Sequence, residues 1–192
     1  MKPIPLALST LLVLSLAACD KAPSPAAPAQ PTQPEQPAAA VDAPTPPGIR
    51  IVNPEVGPGK GKPIALVANQ SISGGFDAGS DGQLVAFGVR IGNYFKSADG
   101  SLSLRLCVEA ACQDARMPLA GSRDNDYLVF QLPEPVTLSG PQRIDYTLTR
   151  SGDATNRVAV WAYPTREGQP GLIDASGTQT TLAPRLALHF RE

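Results

Sequence analysis

Two-residue alternation of apolar and polar side chains, broken every few residues by turn-forming clusters, constrains this chain more than any other feature. In the run from Gln83 to Phe95, Val85, Phe87, Val89 and Ile91 fall on one parity, and Ala86, Gly88, Arg90 and Gly92 on the other. Leu102, Leu104 and Leu106 alternate with Ser101, Ser103 and Arg105, and Leu128, Phe130 and Leu132 repeat the pattern. Ile144, Tyr146 and Leu148 oppose Arg143, Asp145, Thr147 and Thr149, while Leu186, Leu188 and Phe190 oppose Arg185, Ala187, His189 and Arg191. Successive side chains of a strand point to opposite faces, so each run reads as a strand with one face on a core. Ser80-Asp81-Gly82, Ala98-Asp99-Gly100, Leu138-Ser139-Gly140-Pro141, Ser151-Gly152-Asp153 and Glu167-Gly168 separate the runs as turns. No segment carries a 3.6-residue apolar stripe. Short strands at this spacing predict an all-β, two-sheet sandwich of about eight or nine strands.

The sandwich is expected over residues 49–192. Every Phe, Tyr and Trp lies between Phe76 and Phe190, and that stretch is long enough to bury a core. Residues 20–48 are different: nine of these 29 are proline, eight are alanine and none is aromatic. Such a composition cannot repay the entropy of ordering, and its prolines bias it to polyproline II. Residues 19–48 therefore read as a disordered tether, reaching at most about 90 Å at ~3.1 Å per residue. A proline-rich ligand for a partner domain is the alternative, since Pro31-x-x-Pro34-x-x-Pro37 is present.

Before the tether, Lys2 precedes an apolar run from Leu6 to Ala18. The run is too short for a membrane span and has the form of an export signal, expected over residues 1–18. Its end, Leu16-Ala17-Ala18-Cys19, resembles the lipobox of bacterial lipoproteins. That resemblance implies cleavage before Cys19, acylation of Cys19 and anchoring in a bilayer through several acyl chains. The domain is then expected in the bacterial cell envelope, facing the periplasm. Asp20 resembles an inner-membrane retention signal and favours the inner membrane over the outer.

Cys107 and Cys112 flank a four-residue connection that a hairpin would close, so a disulfide is expected in an exported chain. Two zinc ligands would need partner residues that the sequence does not supply at zinc spacing.

The succession DGQLVAFGVRI, SLSLRLCVE, DNDYLVFQL, RIDYTLTR and RVAVWAYP resembles the jelly-roll, carbohydrate-binding-like β-sandwich modules of bacterial envelope proteins. The resemblance runs over residues 64–191 and includes Asp-Asn-x-aromatic at Asp124 to Tyr127. It implies a two-sheet sandwich and leaves the ligand open.

Catalytic signatures are scarce. The one histidine, His189, falls on the polar parity of a terminal strand, and no Gly-x-Ser-x-Gly elbow, phosphate loop or dinucleotide fingerprint is present. The chain is not expected to be an enzyme or to need a cofactor; a hydrolase working through loop carboxylates is the residual alternative. Asp77, Asp81 and Asp99 sit in loops beside glycines and are the candidates for calcium, against the reading that they shape tight turns. A net charge of −1 offers no footprint for nucleic acid.

The candidate ligand contacts lie around Trp161. In Arg157-Val158-Ala159-Val160-Trp161-Ala162-Tyr163, Trp161 and Tyr163 share the parity opposite Val158, Val160 and Ala162. Two aromatic rings on the outer face of a strand would make a platform for a sugar ring, with Arg157 and Arg90 as hydrogen-bond donors. Ala86, Gly88 and Gly92 would leave a shallow surface beside them if the two strands share a sheet. A tryptophan packed in the core or under a loop is the competing expectation. The function expected is non-catalytic binding in the envelope, of a glycan or, alternatively, of a protein partner in assembly.

Overall fold

The computed structural model describes residues 48–96, 98–152 and 157–192; Cys19, the expected export signal and the Pro/Ala segment before Gly48 lie outside them. Eleven strands follow among the described residues: β1 (Ile49–Val52), β2 (Lys62–Leu66), β3 (Ser71–Ala78), β4 (Gly82–Gly92), β5 (Ser101–Val108), β6 (Ala111–Pro118), β7 (Tyr127–Leu138), β8 (Gln142–Ser151), β9 (Val158–Pro164), β10 (Leu182–Pro184) and β11 (Leu186–Arg191). No helix occurs among the described residues. The two or three strands beyond the expected number come largely from β1, β2 and β10, too short or too interrupted by proline to show alternation.

Two antiparallel sheets form the sandwich. In the seven-stranded sheet, β11 pairs with β1 on one edge and β4 on the other, and β7 lies along the far edge of β4. The end of β4 meets β9 through Ile91↔Val160 and Gly92↔Ala159, and β2 runs along the opposite edge of β9. β10 and β11 are a single run interrupted at Arg185. The Arg185 N–H donates to Trp161 O and its carbonyl accepts from Arg90 N–H, both at 3.0 Å. That break lets the run pair with β9 first and β4 afterwards. The four-stranded sheet has the order β3-β8-β5-β6.

The core forms where the alternating apolar faces of the sheets meet. Leu102, Leu104 and Leu106 of β5 and Ile144, Tyr146 and Leu148 of β8 join Phe87, Val89 and Ile91 of β4 and Leu186, Leu188 and Phe190 of β11 in one buried cluster. Phe76, Phe87 and Tyr146 stack with ring centroids 5.8–6.5 Å apart. Burial of the Tyr146 phenol raises its pKa well above the ordinary tyrosine value.

Alternation fails at two places, each for a local reason. Val85, expected on the core parity, is replaced there by Leu84, which is fully buried. Between Leu84 and Ala86, β11 advances by one residue and β4 by two, which is a β-bulge at Val85. Opposite it, β7 jumps from Gln131 to Val136, so that Leu132, Pro133, Glu134 and Pro135 leave the ladder. Proline cannot donate a ladder hydrogen bond, and this bulge at the sheet edge accommodates two of them.

At the end of β8 the core parity continues into a charge. Arg150 is fully buried beyond Ile144, Tyr146 and Leu148. Its Nη1 donates to Leu66 O at 2.8 Å and its Nη2 lies 3.7 Å from Asp99 Oδ1. The guanidinium thereby ties the end of β2 and the turn before β5 to β8, as a buried cation must be paired to be tolerated.

Cys107 and Cys112 face each other across β5 and β6 and are joined by a disulfide. The hairpin is tighter than the four-residue connection suggested. Val108 and Ala111 still pair, leaving Glu109 and Ala110 as the turn, with Glu109 at φ 53°.

Candidate functional site

β4 and β9 share a sheet, so Gly92 and Trp161 come together on its outer face. A Cβ on Gly92 would stand 3.0 Å from Trp161 Nε1 and 3.4 Å from Asp124 Oδ1. The missing side chain is what lets the indole lie against the strand. Trp161 is half-buried, with its Nε1 buried and without a hydrogen-bond partner. Trp161 is therefore neither a core residue nor a fully open platform.

The strand expected to run to Phe95 ends at Gly92. Asn93 to Lys96 is a turn in which Tyr94 and Phe95 have φ 56° and 58°, closed by Lys96 N–H to Asn93 O at 3.1 Å. Two consecutive positive φ values with that hydrogen bond are the geometry of a type I′ turn. Asp124 holds it from the facing loop: its Oδ1 accepts Asn93 N–H at 2.6 Å and Tyr94 N–H at 2.8 Å. The Asn93 side chain adds Nδ2 to Ser122 O at 2.8 Å and accepts Phe95 N–H at 3.1 Å. The turn projects both rings outward, Tyr94 46% and Phe95 87% exposed.

Between this turn and β9 lies a groove of about 390 Å³. Trp161, Tyr94, Phe95 and Pro63 supply apolar walls, buried Gly92 and Ala159 its base, and Asp124 with Asn125 a polar rim. Asp124 Oδ2 accepts Asn125 Nδ2 at 2.8 Å and retains lone-pair capacity for a further donor. The groove thus offers what a small amphipathic ligand needs: flat apolar surface and a few fixed acceptors.

The other expected contacts are distributed differently. Tyr163 shares the outer face of β9 but does not line the groove. Its ring lies against Gly61, whose Cβ would come within 2.7 Å of it, and 5.5 Å beneath the Arg185 guanidinium. Arg90 reaches Tyr163 OH at 3.4 Å and donates Nε to Asn125 O at 3.0 Å, supporting the rim from behind. Arg157 is exposed one residue before β9.

Tyr94, Phe95 and Pro63 escaped the sequence reading. The available signal was the pair of aromatics after the last alternating residue, which there read as a continuation of the strand.

The calcium candidates are dispersed. Asp81 Oδ1 accepts Gly140 N–H at 2.5 Å and its carbonyl accepts Arg50 Nη2 at 2.8 Å, a turn-shaping role. Asp99 faces Arg150, and Asp77 lies opposite Arg143 in the β3–β8 ladder. Among the described residues, no three of His, Cys, Asp and Glu are grouped as a metal site. His189 is half-buried between Ile51 and Ala86, and this burial lowers its pKa. A second, larger cleft of about 620 Å³ lies between the loop after β1 and the 166–170 loop, which Glu55 and Arg166 bridge as an ion pair. It is open and mixed in polarity, and it brings no aromatic pair together. The chain matches no protein-family model and no curated protein, so the residues of the Trp161 groove themselves carry the functional reading.

Proposed function

We propose that this protein is a lipid-anchored component of the bacterial envelope, held at Cys19 and carrying a non-catalytic binding module that takes a glycan in the Trp161 groove. The observation that carries the reading is the meeting of three aromatic rings and a carboxylate–amide rim around one cavity of ligand size. A pyranose presents an apolar C–H face and a polar hydroxyl edge. Trp161, Tyr94 and Phe95 suit the first; Asp124 and Asn125 suit the second.

Within the domain, the groove lies at the far end of the sheet from the first described residue of β1. Ile49 pairs with Arg191, which pairs with Gln83 at the start of β4, whereas the groove adjoins Gly92 at its end. Nine residues of strand separate the two ends by about 30 Å at ~3.3 Å per residue. The domain would face the periplasm, with Asp20 favouring inner-membrane retention.

A second reading, docking of an envelope protein, is favoured by one observation: Phe95 leaves 87% of its surface open, as an anchor residue in a protein interface would. The two separate on one experiment. Calorimetric titration of the protein with envelope-derived oligosaccharides gives saturable binding that Trp161→Ala abolishes while the far-UV spectrum is preserved. Affinity unchanged by Trp161→Ala rejects the groove as the site.

A further inference from the structure

The turn at Asn93–Lys96 violates the local rules that shape the rest of the domain. A type I′ turn places its central residues in the left-handed region, where Asn and Gly are preferred and a bulky side chain is strained. Here both central positions carry aromatic residues, at φ 56° and 58°. Neither ring is repaid by the core: Tyr94 and Phe95 stand outside the buried cluster, and Phe95 is the most exposed large apolar side chain among the described residues. Asp124 and Asn93 commit four hydrogen bonds to holding this strained conformation. Strain that the surrounding structure enforces without a packing return is characteristic of a contact surface.

We infer that the Tyr94–Phe95 turn is the second wall of the binding groove, which closes on an uncharged pyranoside held between this turn and Trp161. This rests on the glycan-binding reading and adds the class of sugar and the residues that select it. The charge of the site determines the class. Asp124 is the one acidic or basic side chain lining the groove among the described residues, and it lies on the rim where ligand hydroxyls would sit. A carboxylate there accepts from hydroxyl donors and repels uronate, phosphate and sulfate groups. Apart from Asp124 and Asn125 the lining is aromatic, proline, glycine and alanine, which favours a ring with an unsubstituted C–H face over a densely charged one.

The test replaces the two turn residues by the pair that the turn geometry prefers, Tyr94→Asn with Phe95→Gly, in the full-length protein. Two quantities are read: the thermal midpoint by circular dichroism, and affinity by emission of Trp161, the one tryptophan in the chain. The probes are neutral glucan and N-acetylglucosamine oligosaccharides, with uronate oligosaccharides of equal length as controls. The expected result is a thermal midpoint raised by roughly 3–6 °C, because strain is relieved. It is accompanied by a loss of about tenfold or more in affinity for the neutral sugars, because a stacking wall is gone. A variant that binds neutral sugars as tightly as the parent overturns the inference and leaves the glycan reading standing. A lowered midpoint shows that the rings serve the fold, and also overturns it. A parent protein that prefers uronates contradicts the charge argument. A parent that binds none of the probes removes the glycan reading itself, and this inference with it.

Discussion

Replacing Asp124 by alanine removes the acceptor that holds the Asn93–Lys96 turn in place. Its Oδ1 receives Asn93 N–H at 2.6 Å and Tyr94 N–H at 2.8 Å, and no part of alanine can replace it. Hydrogen bonds to a charged acceptor contribute about 1.5–3 kcal/mol each. Asp124 is only half-buried and its site is partly screened by solvent, so the two together should fall well short of their sum. A loss of about 2–3 kcal/mol of folding stability is expected, which is about 1–2 M in urea midpoint at a typical slope for a domain of this size. Asp124→Asn keeps an oxygen at the Oδ1 position and removes the charge, so its cost should be less than about 1 kcal/mol. Equilibrium urea unfolding followed by Trp161 emission measures both, and the parent spectrum should change on alanine substitution because the indole lies beside the same carboxylate across Gly92. Equal losses for the two variants would show that charge, rather than an oriented acceptor, holds the turn. No loss for either would refute the latch.

Three further outcomes follow from other parts of the fold. Arg150→Ala should cost about 3–5 kcal/mol in urea unfolding, because it deprives Leu66 O of its donor and leaves space in the core; Arg150→Met, which refills much of the volume, should cost less. Removing the disulfide with Cys107→Ser and Cys112→Ser should cost about 2 kcal/mol, the chain-entropy value for so short a loop, while leaving the hairpin register intact by hydrogen exchange. His189 is held below its ordinary pKa of 6.5 by burial, so the unfolded chain binds more protons between the two values. Stability should therefore be full above about pH 6.5 and decline on acidification through that window, a slope that His189→Gln should flatten in unfolding measured across the pH range.

Alternation located most of the sandwich because each buried face contributes every second residue, as Leu102, Leu104 and Leu106 or Leu186, Leu188 and Phe190 do. It misassigned Val85 because a bulge inserts one residue without leaving a compositional mark, and everything N-terminal to the bulge changes face. Arg150 was legible in principle, since it continues the parity of Ile144, Tyr146 and Leu148, yet its type argues for the surface until Leu66 O and Asp99 are seen around it. The candidate site divides in the same way. Trp161 on the outer parity was readable from pattern, whereas the partnership of β4 with β9 was not, because alternation places side chains on faces without saying which strands are neighbours. The Tyr94–Phe95 turn was not, because a left-handed pair normally announces itself through Asn or Gly, and here the facing loop imposes it through Asp124. Tyr163 left the expected platform because a contact distant in sequence, Gly61, gives its ring a place to pack.

Sugar binding in the groove around Trp161 would be reported directly by Trp161 emission, because it is the single tryptophan. Acrylamide quenching of its emission should be measured with and without neutral envelope-type oligosaccharides. Partial quenching is expected in the free protein, since the ring is half-buried, and saturable protection on adding the sugar. Quenching that no oligosaccharide alters, in a protein that remains folded, would contradict the glycan reading.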